Sequence, residues 1–161
     1  MNDIHNSQPA IIADHIKQVY FGGNWTAVNL KDTLNGISWE MASRKVESFH
    51  SIAELVYHMN YFVTVLLKVL HGKPLQGNDA VSFDCPPINS QADWESLQKR
   101  VFAEVEEFAD LVAALPEYRL WELVSDKKYG TYYRNIHGIV EHCHYHLGQI
   151  VLIKKYFLQD Q

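Results

Sequence analysis

Between Trp94 and Val112 the apolar residues Trp94, Leu97, Val101, Val105, Phe108 and Val112 return at intervals of three and four. That period follows one face of an α-helix, whereas on a strand the same six positions would fall on both faces. An apolar stripe of this length must be buried against partners of the same kind, which directs the chain toward packed helices.

Three further segments carry the pattern, each with a recognisable start or stop. The first runs from about Pro9 to Phe21, with Ile12, Ile16, Val19 and Tyr20 on its apolar side. Ser7 can cap it, Pro9 suits its first turn, and Gly22-Gly23 ends it. A second begins at the capping box Ser51-Ile52-Ala53-Glu54 and stops at Gly72 and Pro74. The Trp94 helix opens at Ser90 or Asp93 and ends before Pro116. The last begins between Thr131 and Asn135 and continues to about Phe157, with Ile136, Ile139, Val140, Cys143, Leu147, Ile150 and Val151 as its apolar arc. Ile150-Val151-Leu152-Ile153 breaks any strand alternation there.

Between these lie less regular stretches. Residues 29–45 read as one or two short helices broken at Gly36-Ile37-Ser38. Residues 71–91, rich in Gly, Pro, Asn and Asp, form a connection long enough to cover a site. Residues 118–133 are aromatic and irregular, with one short helix expected around Leu120–Val124. The reading is an all-α four-helix bundle with short extra helices and a long loop, spanning residues 1–161 as a single domain.

Composition fits that reading and excludes others. The chain has 161 residues, 47% of them hydrophobic, enough for one full core. The net charge is -5 and no run of Lys or Arg stands out, which disfavours a nucleic-acid partner. The polar start Met1-Asn2-Asp3-Ile4-His5-Asn6-Ser7 lacks a signal-peptide apolar region, and no apolar stretch reaching about 18 residues is evident, so no membrane association is expected. Cys85 and Cys143 do not make a disulfide framework, and a cytoplasmic protein is the default.

The chemistry concentrates in histidines. His142, His144 and His146 alternate within the last helical segment. On a helix, His142 and His146 lie one above the other, about 40° and about 6 Å apart, while His144 swings about 160° from each. A His-x3-His pair is a good two-point platform for a divalent metal. His58 lies on the edge of the apolar face of the second long helix, where a buried imidazole needs a partner. Three inward-leaning histidines on facing helices make a candidate metal site, since bundle interiors are where such sites are built. Core histidines satisfied by hydrogen bonds alone remain the alternative.

Other groups rank lower. His5 sits near the terminus, His15 on a solvated helix face, and His71 at a helix end, while His50 precedes the capping Ser51 with a local packing role. His137 and His144 are candidates for groups behind the ligands or for plain surface residues. Gln149, close to one turn past His146, can orient a ligand from behind. Glu54 is explained by its capping position and Glu141 by solvent. Cys143 reads as a small core residue, and nothing near Cys85 suggests an activated thiol.

Three patterns together resemble the DinB/YfiT-like family of metal-dependent enzymes. They are His50-Ser51-Ile52-Ala53-Glu54-Leu55-Val56-Tyr57-His58, then His142-Cys143-His144-Tyr145-His146-Leu147-Gly148-Gln149-Ile150, and the early Gly22-Gly23-Asn24-Trp25 ahead of a leucine-bearing helix. The resemblance implies an up-down-down-up four-helix bundle with a divalent metal, nickel or zinc, held by His58, His142 and His146. It also implies a homodimer, and reactions of the kind its characterised members run, thiol-dependent transfer and a mycothiol-dependent isomerisation. His144 departs from the family pattern, which has a small residue there.

Two functions of different class follow. Three ligands leave an open position for a water or a thiolate whose pKa the metal lowers, which suits either transfer of a low-molecular-weight thiol to a small-molecule electrophile or hydrolysis. The chain offers no convincing nucleophile or general base of its own. The alternative is a non-catalytic, stress-related bundle that binds a metal or small molecule. The long loop and the aromatic stretch are expected to wall the substrate pocket. The sequence names neither the metal, the thiol nor the substrate.

Overall fold

The computed structural model describes residues 7–159, and among these no strand is formed; the only extended pairing is an isolated bridge between Leu123 and Thr131. Six helices follow in order: α1 (Gln8–Phe21), α2 (Leu30–Leu34), α3 (Trp39–Ser43), α4 (Ile52–Leu70), α5 (Gln91–Ala113) and α6 (Tyr132–Gln159). Four are long, and the architecture is the all-α bundle expected. The chain forecast its boundaries through capping chemistry. Ser7 accepts from the Ala10 N–H, Ser90 accepts from Asp93, and Gly22 closes α1 with φ +115°, a conformation that a side chain rarely adopts. At the head of α4, Ser51 Oγ accepts from the Glu54 N–H while the Glu54 carboxylate accepts from the Ser51 N–H.

The packing order differs from the chain order. Helix α1 packs against α5 and α6, and α4 packs against the same two, so α1 and α4 stand across the bundle from each other. The connection between them carries α2, which leans on α1 and α6, and α3, which leans on α4 and α5. Long crossovers of this kind are what a bundle requires when successive helices are not neighbours. The crossover is tied down from the core. The Trp94 indole N–H donates to the Ile37 carbonyl at 3.0 Å, and Lys154 donates to the carbonyls of Thr33 and Asn35 at the end of α2.

Apolar residues of all four long helices fill the interior, with Ile16, Tyr20, Met59, Trp94, Phe108, Ile136 and Ile150 fully buried. Two sequence expectations change. The helix expected around Leu120–Val124 is instead a 3-10 turn over Glu117–Trp121 and another over Lys127–Tyr129, because the backbone pairing of residues 122–124 with 130–132 holds the intervening chain in a tight loop. Helix α4 is by length and composition apolar enough to cross a membrane, contrary to the expectation that no segment qualifies; it is a helix of the bundle, with 67% of its most apolar window buried there.

The capping box gives a direct test. Ser51→Ala removes one half of it and should lower the unfolding free energy by about 1 kcal/mol, read as a shift in the urea midpoint at unchanged slope.

Candidate metal centre

Because α4 and α6 are neighbours, the edge of one apolar face meets the edge of the other, and there the three histidines converge. His58 and His146 are buried and His142 is half-buried. One ring nitrogen from each lies within 4.8 Å of the other two. The ring centroids stand 4.8, 4.8 and 4.5 Å apart for the pairs 58–142, 58–146 and 142–146. The i, i+4 spacing on α6 supplies the shortest of these, as helix geometry requires.

The orientation of each ring is set from behind. Ser82 donates its hydroxyl to the Asp79 carbonyl at 2.7 Å, so its oxygen accepts from His58 Nδ1–H at 2.8 Å. His146 Nδ1–H donates to Gln149 Oε1 at 2.8 Å. Each bond fixes the proton on Nδ1 and leaves the Nε2 lone pair free toward the centre, the arrangement that metal-binding histidines use. His58 Nε2 and His142 Nε2 then face each other at 3.0 Å. Two nitrogens bonded to one zinc at about 2.0–2.1 Å stand about 3.3 Å apart in a tetrahedral arrangement. The pair is thus near the spacing that one cation needs, and a nitrogen of the third ring lies within 4.8 Å of both. The donor set fits a divalent metal.

Aromatic rings enclose the cluster. Phe83 lies flat between His58 and His50, at centroid distances of 3.6 and 4.0 Å and within 8° of parallel to both. Phe62 packs edge-to-face with His58 and His142, and Tyr145 with His146. In these apolar walls the charged imidazolium is disfavoured. Burial, followed by the mutual repulsion of the rings, pushes His58 and His142 down to about 4, and burial also lowers His146. All three are therefore neutral near pH 7, the form that binds a metal. No carboxylate or thiol joins the three nitrogens among the described residues, so the set has three protein ligands.

The other candidates go elsewhere. His144 does not reach the cluster; it faces His15 of α1 with ring centroids 6.3 Å apart, as its rotation on α6 dictates. His71 pairs with Glu107, and His137 lies between Tyr133 and Glu141. His5 lies outside the described residues. Cys143 is a core thiol pushed up to about 12 by burial, and Cys85 is likewise raised, to about 11. Neither is an activated nucleophile.

Sequence reasoning missed Ser82, Phe83 and Asp79 and gave His50 only a packing role. The long loop that carries the first three stands out in the sequence by length and composition. Nothing in its sequence, however, tells which residues fold back onto α4. That loop and the aromatic stretch do wall a cavity beside His142, of about 550 Å³, lined by Leu75, Gln76, Gly77 and Asp79 from the first and Tyr129 from the second. Phe62, Arg134 and Gly138 complete much of the wall.

A sequence profile of the DinB superfamily matches residues 24–150, most of the chain, a span that contains all three histidines. The chain belongs to the DinB superfamily. No curated protein and no solved structure matches it. For this DinB-superfamily chain the family and the cluster together are compatible with a metal-binding protein.

The lowered histidines impose a pH signature on the metal-stripped protein. In the unfolded chain an imidazole titrates near about 6.5, and in the fold His58 and His142 do so at about 4. The unfolded state therefore binds the extra protons between these values, so stability is full above about pH 6.5 and is lost as pH falls through 4. The melting temperature in EDTA should drop over that window, and His142→Asn should flatten the slope.

Proposed function

We propose that the protein is a divalent-metal-dependent enzyme whose ion is held by His58, His142 and His146, with zinc or nickel as the metal. The observation that carries this is the convergence of three neutral imidazoles, two with Nδ1 committed to Ser82 and Gln149 and their lone pairs turned inward. A structural zinc site normally closes with four protein ligands. Three ligands, one of which, His142, lines a cavity of ordinary substrate size, favour an open, reactive site over a purely structural one.

When bound, the metal would lower the pKa of a thiol or water and so supply a nucleophile at neutral pH. The residues of the chain do the rest. Ser82 and Gln149 hold the ligand rings in one tautomer. Phe62 and Phe83 keep water from the rings. Asp79 lines the cavity, and its charge acts on both His58 and His142, so it takes the proton that the nucleophile releases. With both cysteines unreactive, the nucleophile comes from solution. The reaction proposed is transfer of a low-molecular-weight thiol to a small electrophile, with hydrolysis as the second chemistry the same site allows. A homodimer is the assembly expected from the family resemblance, and the cytoplasm is the default place for a chain of this composition.

Metal analysis by mass spectrometry on untagged protein should find close to one equivalent of ion, absent from His58→Ala and His142→Ala. Ser82→Ala and Gln149→Ala should retain the ion but bind it about 10–100-fold more weakly in chelator competition. Metal-free wild-type protein would overturn the proposal.

Activity is read separately. Glutathione, bacillithiol, mycothiol and coenzyme A, each with a chloro-nitroaromatic acceptor, should include one thiol that turns over only with metal present. Failure of all four, and of simple esters, would leave a binding protein in place of an enzyme.

A further inference from the structure

The cavity beside His142 is asymmetric in a way that metal binding does not explain. Arg134, Gly138 and His142 succeed one another at four-residue intervals along α6 and all three line it. At about 1.5 Å per residue, Arg134 and His142 are about 12 Å apart along the helix. Between them, Gly138 is a glycine in a helix interior, where alanine is intrinsically preferred. Its φ is ordinary for a helix, and a Cβ added there would meet nothing within 4 Å. Neither backbone conformation nor close packing thus calls for glycine. What the missing side chain leaves is floor space in the cavity.

The charges are sorted along the same axis. At the far end the Arg134 guanidinium has no hydrogen-bond or ion-pair partner among the described residues. Its aliphatic stem is seated over Gly130, where a Cβ would come within 2.7 Å of Arg134 Cδ, so the turn at Gly130 (φ +78°) is shaped to let the arginine lie across it. Lys128 adds a second positive charge there, its Nζ 4.7 Å from the ring of Tyr129, another cavity residue. At the histidine end the cavity is lined by the carboxylates Asp79 and Glu141, Glu141 lying 3.4 Å from His137. Phe62, Val65, Leu66, Leu75 and Ile139 make the walls between apolar.

We infer that this cavity binds an elongated amphiphilic acid, its carboxylate or sulfonate on Arg134, its apolar body over Gly138, and its opposite end at His142. In the metal-free protein charge fixes the direction: Asp79 and Glu141 repel an anion from the histidine end, and the Arg134 end offers the free cation. The cavity, at about 550 Å³, accommodates a chain or ring of that length. This names the substrate class of the site proposed above and rests on that reading only for the reaction at the histidine end; the binding itself does not need the metal.

The test uses full-length protein in EDTA, titrated by calorimetry with 6-phenylhexanoate and with 6-phenylhexan-1-ol, the same body without the charge. The acid should bind about tenfold more tightly than the alcohol, as a charge-assisted hydrogen bond warrants. Arg134→Gln should erase that difference while leaving the alcohol's affinity unchanged. Gly138→Leu should weaken both probes together, and Gly138→Ala should raise the melting temperature while weakening both more mildly, a pairing that a purely structural glycine would not give. Equal affinity for acid and alcohol, a preference for the acid that survives in Arg134→Gln, or no saturable binding of either probe at millimolar concentration would each overturn the inference. Wild-type protein that holds no metal yet keeps the Arg134-dependent preference would defeat the metal reading alone. A metal-loaded protein indifferent to the carboxylate would defeat this one alone.

Discussion

A neutral imidazole buried between two helices sets the terms for much of this structure. His58 has two polar nitrogens and almost no access to water, and each nitrogen left without a partner would cost a few kcal/mol. The fold answers for both. Nδ1 is met by Ser82, which draws the long loop down onto α4, and Nε2 is turned to His142 and so to α6. Phe83, the residue after Ser82, then covers the ring. One side chain thus couples the position of a connection, the contact of two helices and the geometry of a candidate metal site.

The same desolvation that makes His58 demanding also makes it useful. Apolar walls hold the three rings neutral at ordinary pH, and neutral imidazole is the metal-binding form. The hydrogen bonds from Ser82 and Gln149 choose the tautomer, so each free lone pair is aimed before any ion arrives. Pre-aimed ligands lose little freedom on binding, which is the physical case for a dedicated site over a chance gathering of histidines. The adjoining cavity extends this logic along α6, where a positive end, an apolar middle and an acidic end follow one another on a single helix face.

Much of the fold could be read in the chain because its signals are local. The serine caps, the glycine stops and the three-and-four apolar spacing depend on a few neighbouring residues, and they located the ends of the long helices to within a residue or two. The turn region around Leu120–Val124 was misread for the converse reason: its form comes from backbone pairing across residues 122–132, which no local propensity encodes. The loop residues Ser82, Phe83 and Asp79 went unnoticed on the same grounds. A serine or phenylalanine in a loop carries no sign of which helix it will meet. Arg134 was likewise silent, since a surface arginine on a helix is ordinary until the cavity it borders is known.

The sequence alone determined that His142 and His146 share a face and that His144 does not, because helical rotation is a property of the backbone and needs no tertiary partner. It also determined that His58 would seek the interior, since the stripe around it is apolar. Only the tertiary structure decided that α4 and α6 would be neighbours, bringing His58 to the pair, while α1 and α4 stand apart. That choice is made by side-chain packing over the whole core and by the long crossover that carries the chain across the bundle, and both are sums over contacts distant in sequence.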